Sequence, residues 1–287
     1  MSLAKEMVKV VKTGAGVSLQ GAPRVGLRRW GVAGAGAMDR TSLALANELL
    51  MNRPEDTGLE LIMGGAKIEL LENSWLSHVG RLGCEELLSG RARFLQAGTV
   101  LEFTPTGKGN FSYISIPGGF RASEVFGSMS RHEASNLGDR VEAGDRLGAE
   151  PGGNVFHPVT RRLIRLKSEE SREFKVWPGP HLCEVSSPDE LSGTSLRLSS
   201  ASDRSGYRLE GGPSGRAIEG LRSLPVFPGC MQLTPDGTVI ICLNDGPTVG
   251  GYPLVGVVDP ADLPRLVQVP IGSDLTFQFY EDLVAEL

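Results

Sequence analysis

Glycine and proline break this chain at short intervals: it holds 38 glycines and 18 prolines, 56 of 287 residues. Either residue inside a helix costs about 1 to 3 kcal/mol. Long helices are therefore rare in such a chain, and what lies between the breaks must be short. The apolar runs that remain have strand length. Examples are 9–12, 59–63, 67–71, 100–104, 111–116, 174–176, 239–243, 254–258 and 275–280, bounded by Gly, Pro, Asn or Asp clusters. One helix stands out, over residues 39–50. Asp39 can cap it by accepting from a free backbone N–H, and Leu43, Ala44, Ala46 and Leu50 share an apolar face. A second, shorter helix is expected from Asp262, with Leu263 and Pro264 in its first turn, where a missing N–H costs nothing. The pattern predicts an all-β fold with few short helices.

A faint internal echo divides the chain. MDR at 38–40 resembles SDR at 202–204, LELIMGGAKIELL at 59–71 resembles MQLTPDGTVIICL at 231–243, and QAGTVLEF at 96–103 resembles PIGSDLTF at 270–277. The three pairs run in the same order with similar offsets. A repeat of that length suits two related β domains rather than a solenoid or propeller. The expected division is 1–170 and 171–287. Residues 151–154 read as a tight Gly-rich loop, 206–220 as a strand followed by a mobile segment, and the serine-rich 186–205 as surface.

Composition excludes several classes. Apolar residues make up 40% and charged residues 22%, as in an ordinary globular protein. The net charge is −5 with no basic block, which argues against nucleic acid as a partner. Cys84, Cys183, Cys230 and Cys242 are far apart, without a CxxC pair, so neither a disulfide scaffold nor a structural zinc site is expected. His78, His132, His157 and His181 are likewise scattered, and no metal site is expected. No apolar stretch approaches the roughly 20 residues of a membrane span, and the N-terminus lacks a signal peptide's apolar core. A cytoplasmic protein is the expectation.

The familiar catalytic signatures are absent. There is no GxxxxGK[ST] phosphate loop, no GxSxG elbow and no HExxH, and GAGAMD at 34–39 fails GxGxxG at its last position. Four stretches nevertheless combine polar groups with glycine. In 18–40, Arg24, Asp39 and Arg40 add charge to a Gly-rich segment; it reads as a loop leading to a helix cap or as a place of close approach for a ligand. In 116–130, Gly118-Gly119 follow a strand, as a bulge or as an anion-binding turn. In 202–212, the Asp203-Arg204 pair can bind a carboxylate or phosphate, or close a turn as an internal ion pair. In 244–253, NDGPTVGGYP, Asp245 and Thr248 stand over Gly250-Gly251 with Tyr252 as a wall, as a polar ligand site or a structural turn.

These stretches, in this order, resemble the family of allophanate hydrolase subunit 2, also called the KipA family, the biotin-dependent carboxyltransferase family and the family of the 5-oxoprolinase C component. The resemblance rests on Ser18–Gly26, on Gly31–Asp39 with Asn47 and Asn52, and on Tyr113–Gly119 with Gly127-Ser128. It continues through Ser202–Gly211, Pro228–Leu233, and Thr248–Pro253 with Asp262-Leu263, Leu266, Gln268 and Gly272, so it covers about residues 8 to 280. It implies two cyclophilin-like β-barrel domains. It implies partners too: a KipI-like subunit (allophanate hydrolase subunit 1, or the 5-oxoprolinase B component) and a lactam-utilisation-type third subunit. The activity implied is opening of 5-oxoproline to glutamate at the expense of ATP. Asp39 and Asp245 are then the candidate catalytic carboxylates. Arg24, Asn47, Arg204, Gln232, Thr248, Gly250, Gly251 and Tyr252 are the candidate substrate-binding residues.

The chain departs from the family pattern at Gly21, where Asp is usual, at Pro23 for Gly, at Ser130-Arg131 for a pair of small hydroxyl residues, at Ser205 for Met, and at Pro247 for Gln. It has no Met-Lys-Met biotin acceptor and no ATP motif. ATP would be bound at a partner or an interface, and any biotin would be carried on another chain. Two other readings share the resemblance. One is a carboxyltransferase subunit of a urea carboxylase-like enzyme that takes the carboxyl group from carboxybiotin. The other is a non-catalytic protein that binds a KipI-type kinase inhibitor.

Overall fold

A computed structural model describes residues 5–149, 171–185, 188–216 and 218–280. The chain divides into two compact units, Met1–Val25 with Ala35–Ser168, and Gly26–Gly34 with Glu169–Leu287. The sequence suggested one cut near 170; the structure instead places 26–34 with the later unit. The expected loop at 151–154, His157 and the expected domain boundary lie outside the described residues.

The first unit carries strands β1 (Glu6–Thr13) and β2 (Val17–Gln20), helix α1 (Arg40–Glu48), and strands β3 (Gly58–Ile62), β4 (Ala66–Leu70), β5 (Ser74–Gly80), β6 (Arg91–Leu95), β7 (Val100–Phe103), β8 (Phe111–Ser115) and β9 (Arg146–Gly148). They form two sheets, ordered β7-β4-β1-β9 and β2-β3-β8-β5-β6. Strand β4 alternates buried and half-buried residues, the period of a sheet with one covered face. Ile68, Leu70, Leu101 and Phe103 from the first sheet meet Leu19, Leu59, Leu61, Leu76 and Ile114 from the second in one core. Strand β8 is buried along its whole length, because α1 packs on the sheet face away from that core. Between β3 and β4 the chain leaves one sheet for the other. Met63, Gly64 and Gly65 all take left-handed backbone there, with φ of 52°, 87° and 79°. A Cβ on Gly64 would meet Pro105 at 2.7 Å, so that position requires glycine.

The second unit begins with a 3₁₀ turn, Arg28–Trp30. It continues with β10 (Glu173–Pro178), the single turns α2 (Leu182–Val185) and α3 (Pro188–Leu191), β11 (Leu196–Leu198), β12 (Gly206–Glu210), β13 (Leu224–Pro225), β14 (Cys230–Leu233), β15 (Val239–Cys242), β16 (Val249–Gly250), β17 (Leu254–Val258), α4 (Leu263–Leu266) and β18 (Asp274–Phe279). Seven strands close a barrel in the order β10-β17-β14-β15-β12-β11-β18. Closure comes from the parallel pairing of β10 with β18, which sets Phe174 beside Phe277. Closing the sheet on itself removes its open edges. Phe174, Val176, Leu209, Met231, Ile241 and Phe277 are fully buried. The ribbon β13–β16 lies outside the barrel ladder.

Most expected elements are present. Each of the nine apolar runs lies on a strand. Asp39 caps α1, its carboxylate accepting from the Ser42 N–H at 2.9 Å, and the helix stops at Glu48 rather than Leu50. The second helix starts after Asp262 as expected. The sequence missed β5 and β6, whose Ser, His and Arg residues break any apolar run.

Candidate functional site

The loop 244–253 is anchored by its own polar groups. Arg204 grips Asp245 through two parallel bonds, Nε to Oδ2 at 2.9 Å and Nη2 to Oδ1 at 3.0 Å. The side chains are 14% and 4% exposed, so this is a buried, bidentate, charge-assisted pair. The Asp245 N–H also donates to the Arg204 carbonyl at 3.0 Å. Asp203 serves a different purpose: its Oδ1 accepts from the Ser205 and Gly206 N–H groups, a local turn that places Arg204. The Asp203-Arg204 neighbours are therefore not the ion pair; the partner comes from 41 residues away.

The other end of the loop rests on Gln232. This side chain is 4% exposed, and its Nε2 donates to the Tyr252 carbonyl at 3.0 Å. A Cβ on Gly250 would stand 2.4 Å from that Nε2 and 2.9 Å from Oε1. Gly250 is thus the position that lets the amide lie against the backbone. Gly251 has open space, with nothing nearer than the Ser223 hydroxyl at 4.0 Å. Arg28 pins the ribbon from its far side, donating to the carbonyls of Val226 and Pro247. Burial lowers the Arg28 pKa. Asp245, Gln232 and Gly250 are therefore committed to holding the loop. Thr248 is half-buried and Gly251 and Tyr252 are exposed, Tyr252 at 45%.

In the first unit, Asp39 belongs to a buried network that the sequence did not suggest. Glu60 is fully buried, and its Oε2 accepts from the Met38 N–H at 2.8 Å and from the Tyr113 hydroxyl at 2.7 Å. The Tyr113 oxygen in turn accepts from the Asp39 N–H at 2.7 Å. Burial first, then the Glu60 and Asp39 charges, push the Tyr113 phenol well above its ordinary pKa. Both Asp39 oxygens accept from Ser42. Arg24 is 4% exposed and donates to the carbonyls of Val125 and Ser130. Asn47 is fully buried, bonded to the carbonyls of Pro54 and Asp56. The bonds of Arg24 tie loop to loop, and those of Asn47 tie helix α1 to the loop that follows it.

Gly118 and Gly119 form a turn whose N–H groups are used, by Asn52 Oδ1 at 2.8 Å and the Ile116 carbonyl at 3.0 Å. At Gly21, a Cβ would meet the Glu55 carbonyl and the Thr57 hydroxyl at 3.0 Å. A side chain at this position would need those neighbours to give by a few tenths of an ångström. Arg131 is buried and bonded to Glu133, Asn136 and the Gly138 carbonyl. Glu60 was visible as one carboxylate inside the apolar run LELI. Nothing in the sequence marks Arg28 above its neighbour Arg29.

Among the described residues, no group of three or more His, Cys, Asp or Glu side chains is placed to hold a metal ion, and no helix is long and apolar enough to cross a membrane. The fold and the loop define a mostly β protein whose candidate site is a polar rim on a closed barrel. Sequence comparison makes the class specific: residues 30–279 match the carboxyltransferase domain family, subdomains A and B. The chain belongs to this family. It is 29% identical to the C component of 5-oxoprolinase from Escherichia coli over 94% of this chain and 90% of that protein. It is 25% identical to urea amidolyase of Lachancea kluyveri, over 94% of this chain but 17% of that one. The crystal structure of TTHA0988 superposes with a TM-score of 0.85 at 25% identity, over 98% of this chain and 57% of that chain. The Kluyveromyces lactis urea amidolyase shares the fold, with a TM-score of 0.82 at 23% identity, and this chain spans only 19% of it.

Proposed function

We propose that this chain is a subunit of an ATP-dependent amidohydrolase of the 5-oxoprolinase type, opening 5-oxoproline or a related small cyclic amide. The carrying observation is the alignment with the 5-oxoprolinase C component along about nine-tenths of both chains. In the reaction the lactam C–N bond breaks, water supplies the new C–O bond, and the nitrogen leaves as the product amine. Thr248 and Tyr252 offer hydroxyls to the amide over the Gly250-Gly251 backbone. Arg204, Asp245 and Gln232 act as positioning residues that hold this rim. A site of this kind rejects analogues lacking the amide, because a buried unpaired polar group costs about 1 to 3 kcal/mol.

ATP binds on a partner subunit or at an interface with one in this reading. The Gly-rich segments of the first unit spend their N–H groups on Glu60, Tyr113, Asn52 and Ile116, which leaves those donors no phosphate to cradle. The partners are a KipI-like subunit and a lactam-utilisation-type subunit. The test is to co-express the chain with both and to assay glutamate release from 5-oxoproline with and without ATP. ATP-dependent release supports the reading. A stably assembled complex without release rejects 5-oxoproline as substrate. Carboxyl transfer from carboxybiotin by the same complex would then favour the second reading, which the urea amidolyase relatives support.

A further inference from the structure

Strands β14 and β15 pair antiparallel with Met231 opposite Ile241 and Gln232 opposite Ile240. The ladder ends there: the Gly229 N–H donates to the Cys242 carbonyl at 2.8 Å, and the Cys230 N–H turns back to the Phe227 carbonyl at 3.0 Å, which leaves Cys230 beside Cys242 in one buried cluster. Met231 and Ile241 belong to the barrel interior, so by strand alternation Cys230, Gln232 and Cys242 share the outer face. There the two cysteines pack with Val226 and Leu254 in a small cluster of their own. Both are free thiols. The Phe227 N–H donates to the Cys230 sulfur at 3.3 Å, and the Cys242 thiol lies 3.9 Å from the Gln232 Oε1.

We propose that Cys230 and Cys242 are a modification site, a thiol pair that closes to a reversible cross-strand disulfide and loosens the 249–252 loop. Neighbouring side chains on adjacent strands have Cβ atoms about 4.5–5.5 Å apart at their nearest. A disulfide needs about 3.8 Å, so closure draws the strands together by about an ångström. A bond formed under such tension is among the easily reduced, labile ones. The oxidant is a hydroperoxide. One sulfur attacks the O–O bond, giving a sulfenic acid and releasing water or an alcohol. The second sulfur then displaces the hydroxyl as water, so two thiols lose two electrons and two protons to the peroxide.

Access runs through the cover. The cluster lies beneath β13–β16, a ribbon of two residues a side whose tie to the 3₁₀ turn is Arg28. Ribbons this short open locally at low cost. Burial pushes the Cys242 thiol up to about 11, with Cys230 adding to the effect, so oxidation is slow and follows opening. The consequence for the loop follows from Gln232. Its Oε1 faces the Cys242 thiol while its Nε2 holds Tyr252, and the disulfide takes that thiol away.

The test uses the full chain carrying Cys183→Ser, because Cys183 is exposed and would crosslink chains. The protein is treated with hydrogen peroxide and digested without reduction, and hydrogen exchange is followed in parallel. The proposal predicts one peptide pair joining 230 to 242 with two hydrogens lost, absent in Cys230→Ser and reversed by dithiothreitol. It also predicts faster exchange at 249–252 in the oxidised form. Recovery of both thiols reduced, under a dose that fully converts Cys183 in the unsubstituted chain, overturns the proposal. So does a bond from either cysteine to Cys84. A disulfide that leaves exchange at 249–252 unchanged overturns the coupling to the loop.

Discussion

Gly98 in the first unit and Gly272 in the second sit at the same point of the same turn. Their φ angles are 83° and 80°. The Thr99 N–H reaches back to the Gln96 carbonyl, and the Ser273 N–H to the Pro270 carbonyl. Leu70 exchanges bonds with the first turn and Leu198 with the second, in the same pattern. The preceding echo behaves differently. In the second unit 231–243 is a plain hairpin, β14 with β15. In the first unit the corresponding β3 and β4 go to different sheets, through three successive left-handed residues. Similar local sequences thus yield similar turns but not the same strand partners. The two units also bury polarity in different places. The first holds Glu60, Tyr113 and His78 within its sheets, whereas the second ties its polar groups into a surface loop through Arg204, Gln232 and Arg28.

The largest expected effect breaks that loop. Asp245→Ala leaves the Arg204 guanidinium buried without its carboxylate, which costs about 3–5 kcal/mol. Hydrogen exchange should show the loss in the second unit, with the first unit unchanged.

Acid should act on the first unit instead. His78 bonds the Leu87 carbonyl at 2.8 Å and Ser112 at 3.1 Å, and burial lowers its pKa from 6.5 to about 4. The unfolded chain binds this proton first, so the contribution is present above pH 6.5 and is lost as pH falls towards the folded value. The loss reaches about 3 kcal/mol. Chemical denaturation from pH 7 downward, as the expected check, should show this slope diminished in His78→Asn.

Gly250→Ala should cost about 1–3 kcal/mol by overpacking against Gln232, while Gly251→Ala stays within about 0.5 kcal/mol. Gln232→Ala makes room, so the double variant should fall short of the sum of the two single losses. Additive losses in that cycle would mean that the Gly250–Gln232 contact is not what fixes the loop. The cap ranks below the loop residues: Asp39→Ala removes the bonds to Ser42 and costs about 1 kcal/mol, read as a lowered melting temperature.

The turns and apolar strands were legible because glycine, proline and period-two runs act locally. Strand β5 was not, since Ser77 and His78 look like surface residues until Ala46, Leu87 and Ser112 supply their partners. The polar stretch 244–253 was visible as an unusual Gly-rich loop, yet which of its groups face inward depends on Arg204 and Gln232, placed by other segments. Arg24 and Asn47 show the same limit. Their side-chain types suit a ligand, and only the structure reveals that Arg24 ties loop to loop and Asn47 ties α1 to the next loop.

The most direct test is steady-state glutamate release from 5-oxoproline by the assembled complex carrying Thr248→Ala, alongside the unsubstituted chain. A substrate held at this rim implies a loss of at least about tenfold in kcat/KM, roughly 1.4 kcal/mol, with an unchanged melting temperature. Undiminished kcat/KM in a fully assembled complex would contradict the placement of the substrate at this rim.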